Sequence, residues 1–175
     1  MSALRRINKE MQELQKNPIP GITAAPAPPG TNPFEWVGNI AGPPDSPYEG
    51  GLFVVRIHFP NDYPFSPPRI TMQTRIHHPN ISPDGRICLD TLSRRWSSAL
   101  TIGQVLLSIQ QLMGEPNPHN PLAILPANRQ QFNQTARQWT QLYARPPQPH
   151  NQSTQGNRDN GGNDGSGGSG GTGSQ

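Results

Sequence analysis

The order in which periodic segments follow one another constrains the fold of this chain more than any other sequence feature. Residues 2–16 have apolar side chains at helical spacing, and Ser2 is a suitable N-cap residue. The predicted apolar face consists of Leu4, Ile7, Met11 and Leu14. Strand-like segments follow, and two further helical patterns come only after residue 100. Helices before and after a run of strands predict an α+β fold with an antiparallel sheet.

Several segments between residues 22 and 74 have the composition or the alternation of β-strands. Residues 52–59 are the clearest, because β-branched and aromatic side chains dominate them. Residues 22–30 are rich in Ala and Pro, which predicts a weak strand at an edge of the sheet. Residues 34–40 and 69–74 are the other predicted strands.

Two amphipathic helices are predicted in the second half of the chain. Thr101 caps the first of them, and the breadth of its apolar face predicts a well-buried helix. That face consists of Ile102, Val105, Leu106, Ile109, Leu112 and Met113. The second helix spans about residues 127–144, and its apolar face consists of Phe132, Ala136, Trp139 and Tyr143.

The composition divides the chain into a folded domain, residues 1–147, and a tail, residues 148–175. Residues 151–175 lack every aliphatic and aromatic side chain, so we expect this segment to stay flexible. No apolar run is long enough to span a membrane, and the first residues do not resemble a signal peptide. With a single cysteine, these features predict a protein of the cytoplasm or nucleus.

The basic residues are unusual in kind. The chain has 14 of them against 11 acidic residues, and only Lys9 and Lys16 are lysines. The arginines form no dense cluster, and no nucleic-acid-binding motif is present. We therefore interpret the net charge of +3 as ordinary surface charge and expect no nucleic-acid partner.

Cys88 is the only cysteine, and it lies within residues 75–100, where periodicity is lost. A single thiol cannot form an internal disulfide or a cysteine metal site. Two interpretations remain: a small buried hydrophobic residue between Ile87 and Leu89, or a nucleophile. Long irregular segments inside a compact domain are usually functional, which favours the nucleophile.

Motifs around Cys88 resemble those of ubiquitin-conjugating enzymes. His78-Pro-Asn80 is followed by a cysteine eight residues after the asparagine, within the segment Gly85-Arg-Ile-Cys-Leu-Asp90. The other matching segments are residues 42–51, 59–68, 96–102, 106–109 and 115–118, so the resemblance covers about residues 2–145. It implies an N-terminal helix, a four-stranded antiparallel meander, an active-site loop, a crossover helix and C-terminal helices.

The resemblance also implies an activity. Cys88 would accept ubiquitin from an activating enzyme as a thioester and pass it to a substrate lysine or a ligase cysteine, with a RING or HECT ubiquitin ligase bound. No insertion separates Cys88 from Trp96, which is typical of the compact ligase-dependent branch. Two alternatives are a non-catalytic scaffold that only binds ubiquitin, against which Cys88 and Asn80 argue, and a carrier of another ubiquitin-like protein. We expect no cofactor and no metal.

Roles for residues near Cys88 follow from the same resemblance. Asn80 either stabilises an oxyanion with its amide or holds the shape of the active-site loop. Asp90 is the nearby carboxylate, and His78 and Pro79 are expected to shape the loop. Arg75 and Arg86 either favour the thiolate or are simply exposed to solvent.

The loop after the crossover helix is expected to complete the site with Asn117, Asn120 and Leu122. Asn120 stands where the family often has an acid, and an amide cannot act as a base. His119, its neighbour, is either a titrating group or a solvated loop residue. The hypothesis is that discharge onto free lysine is slow unless a ligase compensates, which comparison with an Asn120→Asp variant tests.

Two binding surfaces are implied by the resemblance. The ligase-binding residues would be Arg5, Arg6, Phe65, Ser97, Ser98 and Ala99. The residues that contact donor ubiquitin would be Leu107, Ser108 and Gln111. For Phe65 and Leu107 the alternative is burial in the core. Tyr63–Pro64 is a candidate cis peptide bond by the same resemblance.

Overall fold

The computed structural model describes residues 2–28, 32–119 and 128–147, and it confirms the α+β architecture. The helices are α1 (Ala3–Lys16), α2 (Ile102–Gly114) and α3 (Arg129–Tyr143). The strands are β1 (Ile22–Pro26), β2 (Glu35–Ala41), β3 (Leu52–His58) and β4 (Arg69–Met72). A short 3₁₀ helix, Asp90–Leu92, lies between β4 and α2 and has no counterpart in the sequence patterns.

The four strands form one antiparallel meander in the order β1-β2-β3-β4. The register places Ile22 opposite Ile40 and Ile40 opposite Phe53. These side chains are all buried, because alternate residues of each strand face the core. The prediction that β1 is an edge strand is confirmed.

Strand β4 is shorter than predicted because its regular pairing with β3 ends at Met72, after which the amides of Gln73 (2.8 Å) and Thr74 (3.3 Å) both donate to the carbonyl of Val54. On its other side, the amide of Met72 donates to the carbonyl of Gly85 (2.8 Å). Gly85 has a φ of +89°, and a Cβ there would lie 2.2 Å from the Met72 carbonyl oxygen. Only glycine permits this approach, which brings the segment before Cys88 against β4.

The core lies between the inner face of the sheet and helix α2. All six residues of the predicted apolar face of α2 are buried, which confirms that prediction. Large aromatic side chains fill the rest, and Trp36 and Phe59 pack edge to face with ring centroids 5.2 Å apart. The described residues therefore share one core, with α2 across it.

The predicted apolar face of α1 is confirmed for Ile7, which is buried, and for Met11 and Leu14, which pack against the core, but not for Leu4. Leu4 is 41% exposed, whereas Ala3, Ile7 and Glu10 are buried. The Glu10 carboxylate accepts hydrogen bonds from the Tyr63 hydroxyl (2.7 Å), the Arg6 guanidinium (2.8 Å) and the amide of Ile102 (2.9 Å). A buried carboxylate with three donors therefore joins α1, the proline-rich loop and the beginning of α2.

Replacing Glu10 with glutamine should lower the free energy of unfolding by about 2 kcal/mol, because charged hydrogen bonds in a buried site are lost. Urea denaturation at neutral pH measures the change. The matched control is Glu13→Gln on the exposed side of α1, which should change stability by less than about 0.5 kcal/mol. Equal stability of the two variants would show that the Glu10 network contributes little.

Helix α3 packs on the segment that leads into the active-site loop. Ala136 is fully buried, and His77 lies against the rings of Phe132 (4.4 Å between centroids) and Trp139 (5.3 Å). Tyr143 is 44% exposed, so the predicted apolar face is only partly covered. None of the helices described is long and apolar enough to cross a membrane.

Candidate active site

The loop before Cys88 is held by a buried histidine. His78 accepts a hydrogen bond at Nδ1 from the amide of Asn80 (3.0 Å), so its proton is on Nε2, which donates to the carbonyl of Leu112 (2.8 Å). The Tyr48 hydroxyl donates to the carbonyl of His77 (2.6 Å). The bond to Leu112 connects the loop to the last turn of α2, in agreement with a structural role for His78.

Asn80 is fully buried and joins the same loop to the segment after α2. Its side-chain amide donates to the carbonyl of Asn117 (2.9 Å), and its Oδ1 accepts from the Asn117 amide (2.8 Å). Its own carbonyl accepts from the amide of Cys88 (2.9 Å). The side chain thus has a structural role, and its second amide hydrogen is not needed for the bond to Asn117.

Cys88 is partly exposed at a groove of about 560 Å³. Basic, acidic and apolar side chains line it: Arg86, Ile87, Cys88, Leu89, Asp90, Leu92, Ser93, Arg94, Leu112, Asn117 and His119. The burial expected of a small hydrophobic residue is therefore not observed for Cys88.

Asp90 lies at the start of the 3₁₀ helix and lines the same groove. Its carboxylate pairs with the exposed guanidinium of Arg95 at 3.4 Å, and its carbonyl accepts from the Arg95 amide (2.9 Å). An exposed pair of this kind is weak and exchanges readily with solvent or a ligand. The carboxylate therefore stays accessible from the groove.

The two arginines predicted near the thiol have different environments. Arg86 is exposed and lines the groove of Cys88. Arg75 instead lies over the rings of Trp139 (5.9 Å) and Tyr143 (5.2 Å) on α3. Arg75 thus packs against α3 and is not among the residues that line the groove of Cys88. Its position gives no support for an effect of Arg75 on the thiolate.

The elements predicted to bind a ligase adjoin one another. The Trp96 indole donates to the carbonyl of Pro64 (2.9 Å), and Arg6 donates to the carbonyl of Leu100 (3.0 Å). Phe65 is 76% exposed, so the alternative prediction, that it is a buried core residue, is wrong. Four further residues predicted on this surface are exposed: Arg5, Ser97, Ser98 and Ala99. Arg6 is half-buried, and its guanidinium pairs with Glu10.

The predicted contacts with donor ubiquitin share the outward side of α2. Leu107 is 36% exposed, so it is not a core residue, whereas its neighbour Leu106 is fully buried. Ser108 is half-buried and Gln111 is exposed. The binding roles of both surfaces remain predictions. The Tyr63–Pro64 bond is cis, as the resemblance implied.

Some predicted features lie outside the described residues: Asn120 and Leu122 of the active-site loop, and the tail from residue 148. His119 is described and exposed, and its amide donates to Oδ1 of Asn117 (3.0 Å).

Sequence reasoning missed Ser93 and Arg94 in the groove. No sequence pattern marks these two residues as part of the site. They line the groove because the 3₁₀ helix turns the chain back after Cys88.

The stability of the loop should depend on pH through His78. Burial lowers the pKa of His78 from 6.5 to about 4, so the unfolded chain takes up this proton at a higher pH than the folded chain does. The contribution of neutral His78 to the free energy of unfolding is complete above pH 6.5 and is lost as the pH falls toward 4. Between pH 7.5 and pH 5 the loss should be about 2 kcal/mol.

Urea denaturation at both pH values tests this expectation with His78→Asn, which removes the titrating ring. The variant should show a shallower pH dependence than the unmodified chain. His119→Asn, which replaces an exposed imidazole in the same way, is the matched control. An unchanged slope in His78→Asn would assign the pH dependence to other groups, of which His77, whose pKa burial also lowers, is the first to examine.

Comparisons with known proteins agree with this geometry. The sequence profile of the family described as ubiquitin-conjugating enzyme matches residues 6–141. The structure is similar to the E2 domain of a ubiquitin-conjugating enzyme from Toxoplasma gondii, with a TM-score of 0.74 and 42% sequence identity. That match covers 81% of this chain and 98% of the other. The chain therefore belongs to the ubiquitin-conjugating enzyme family.

Proposed function

We propose that this chain accepts ubiquitin from an activating enzyme as a thioester on Cys88 and transfers it to a lysine or to a ligase cysteine. The observation that carries the proposal is the position of Cys88, partly exposed in a groove whose walls come from the 3₁₀ helix and the segment after α2. Membership of the family implies ubiquitin, an activating enzyme and ligases as partners in general.

Each step of the proposed reaction exchanges one bond to the acyl carbon. The Cys88 thiolate attacks the thioester carbonyl held by the activating enzyme, and the sulfur of that enzyme leaves as thiolate. A neutral amine then attacks the same carbon, the C–S bond breaks, and the proton of the amine is lost as the Cys88 thiolate leaves. Transfer to a ligase cysteine replaces the amine with a second thiolate and needs no amine deprotonation.

The surrounding residues have distinct proposed roles. Asn80 holds the segment at Asn117 in place and offers an amide hydrogen to the oxyanion of the tetrahedral intermediate. Asp90 attracts the incoming ammonium and assists the loss of its proton. Asn120 replaces the usual acid, so we propose slow discharge onto free lysine without a ligase, with the Asn120→Asp variant as the comparison.

Incubation with activating enzyme, ATP and ubiquitin tests the proposal directly. We expect an adduct of one ubiquitin that thiol reductants remove. Because Cys88 is the only cysteine, such an adduct identifies its own site without mutation. Parallel reactions with other ubiquitin-like proteins and their activating enzymes measure the choice of modifier. A reducible adduct with another modifier and none with ubiquitin would overturn the proposal, and so would the absence of any adduct.

A further inference from the structure

Among the described residues, the basic side chains that line the groove of Cys88 are two arginines and His119. Arg86 and Arg94 line its groove, both exposed, and the exposed Arg95 pairs with Asp90 beside them. No lysine follows Lys16 anywhere in the sequence. The groove thus carries positive charge without a single lysine.

The two lysines of the chain lie at the other end of the molecule. Lys9 and Lys16 are exposed on α1, which meets the beginning of α2 through the bond from Ile102 to Glu10. The groove of Cys88 touches the opposite end of α2, at Leu112. Helix α2 has 13 residues and is therefore about 20 Å long, which separates these two regions.

Arginine and lysine differ in their chemistry toward a thioester. A guanidinium keeps its proton at physiological pH and is not a nucleophile. A lysine amine is deprotonated in about one molecule in a thousand at neutral pH, and a tethered amine has a very high effective concentration. A lysine in this groove would therefore compete with every substrate that arrives by diffusion.

We propose that arginine at positions 86 and 94 determines acceptor specificity by keeping the charge of the groove while removing amines that the thioester could acylate. This inference rests on the proposed function. In the reaction that is prevented, a lysine nitrogen attacks the acyl carbon, the C–S bond breaks, and the amine proton passes to solvent as the Cys88 thiolate leaves. The product would be a stable amide on the chain itself.

Arg94→Lys and Arg86→Lys in the full chain test the inference. The control is Arg145→Lys, an exposed position after α3, where the neighbouring Ala144 carbonyl accepts from Leu52 at the start of β3. Each protein is loaded with ubiquitin, the activating enzyme is stopped by removal of magnesium, and reducible and non-reducible conjugates are followed over time. The yield of amide is normalised to the thioester formed.

The groove variants should form the non-reducible conjugate at least about tenfold faster than the Arg145→Lys control. The rate should not depend on protein concentration, and peptide mapping should place ubiquitin at the new lysine. The inference is overturned if both groove variants load normally and yield no more amide than Arg145→Lys. Failure of the unmodified chain to form any thioester would instead remove the proposed function.

Discussion

Replacing Cys88 with serine is expected to abolish the reducible ubiquitin adduct and to slow transfer to lysine at least about a thousandfold. A serine hydroxyl is a much weaker nucleophile than a thiolate at neutral pH, and its alkoxide is a poorer leaving group. Any conjugate that forms should be an ester, which dithiothreitol leaves intact and mild base cleaves. Gel analysis with and without dithiothreitol measures both properties.

A matched control for this prediction is Ser93→Ala, which removes a hydroxyl from the same groove. It should load ubiquitin as the unmodified chain does, because the Ser93 hydroxyl donates to the backbone carbonyl of Asp90 (3.3 Å) and has no step in the proposed reaction. Cys88→Ala should form no adduct of either kind. A dithiothreitol-sensitive conjugate in Cys88→Ser would show that the thioester belongs to another protein in the assay.

Replacing Asn80 with alanine is expected to slow discharge of the preformed thioester onto lysine by about a hundredfold. Two effects combine in this result. The bonds to the amide and carbonyl of Asn117 are lost, which loosens the segment opposite Cys88 and costs about 1–3 kcal/mol of stability. The proposed amide donor to the oxyanion is lost as well.

Asn80→Asp keeps one of the two bonds to Asn117. Its carboxylate still accepts from the Asn117 amide but can donate neither to the Asn117 carbonyl nor to an oxyanion. If the amide donor matters, this variant should transfer as slowly as Asn80→Ala, while hydrogen exchange shows the Asn117 amide still protected. Single-turnover discharge and hydrogen exchange are the two measurements. Transfer by Asn80→Ala at the unmodified rate would contradict both roles.

Features that depend on neighbours along the chain could be predicted from the sequence. Ser2 and Thr101 cap their helices, accepting from the amides of Arg5 and Gln104 at 3.3 Å. The buried face of α2 follows its apolar spacing because one side of the helix meets the sheet along its length. The motif around Cys88 indicated the family because all of its residues are close neighbours along the chain.

The prediction for α1 was right for Ile7, Met11 and Leu14 but wrong for Leu4, and it missed Glu10, because burial at a helix position depends on what packs across it. Leu4 has the right spacing but faces solvent, and the charged Glu10 is buried because Tyr63 and Ile102 supply donors. Arg75 is a similar case, since the aromatic rings of α3 determine its position. No local pattern carries this information.

The sequence by itself determined the chemistry of this protein: a single thiol, the residues that flank it, and the absence of lysine beyond α1. The tertiary structure decided which groups meet. His78 bonds Leu112, 34 residues away, and Asn80 bonds Asn117, 37 residues away. Such contacts depend on the path of the chain through the whole fold, whereas periodicity and motifs describe only neighbours along the sequence.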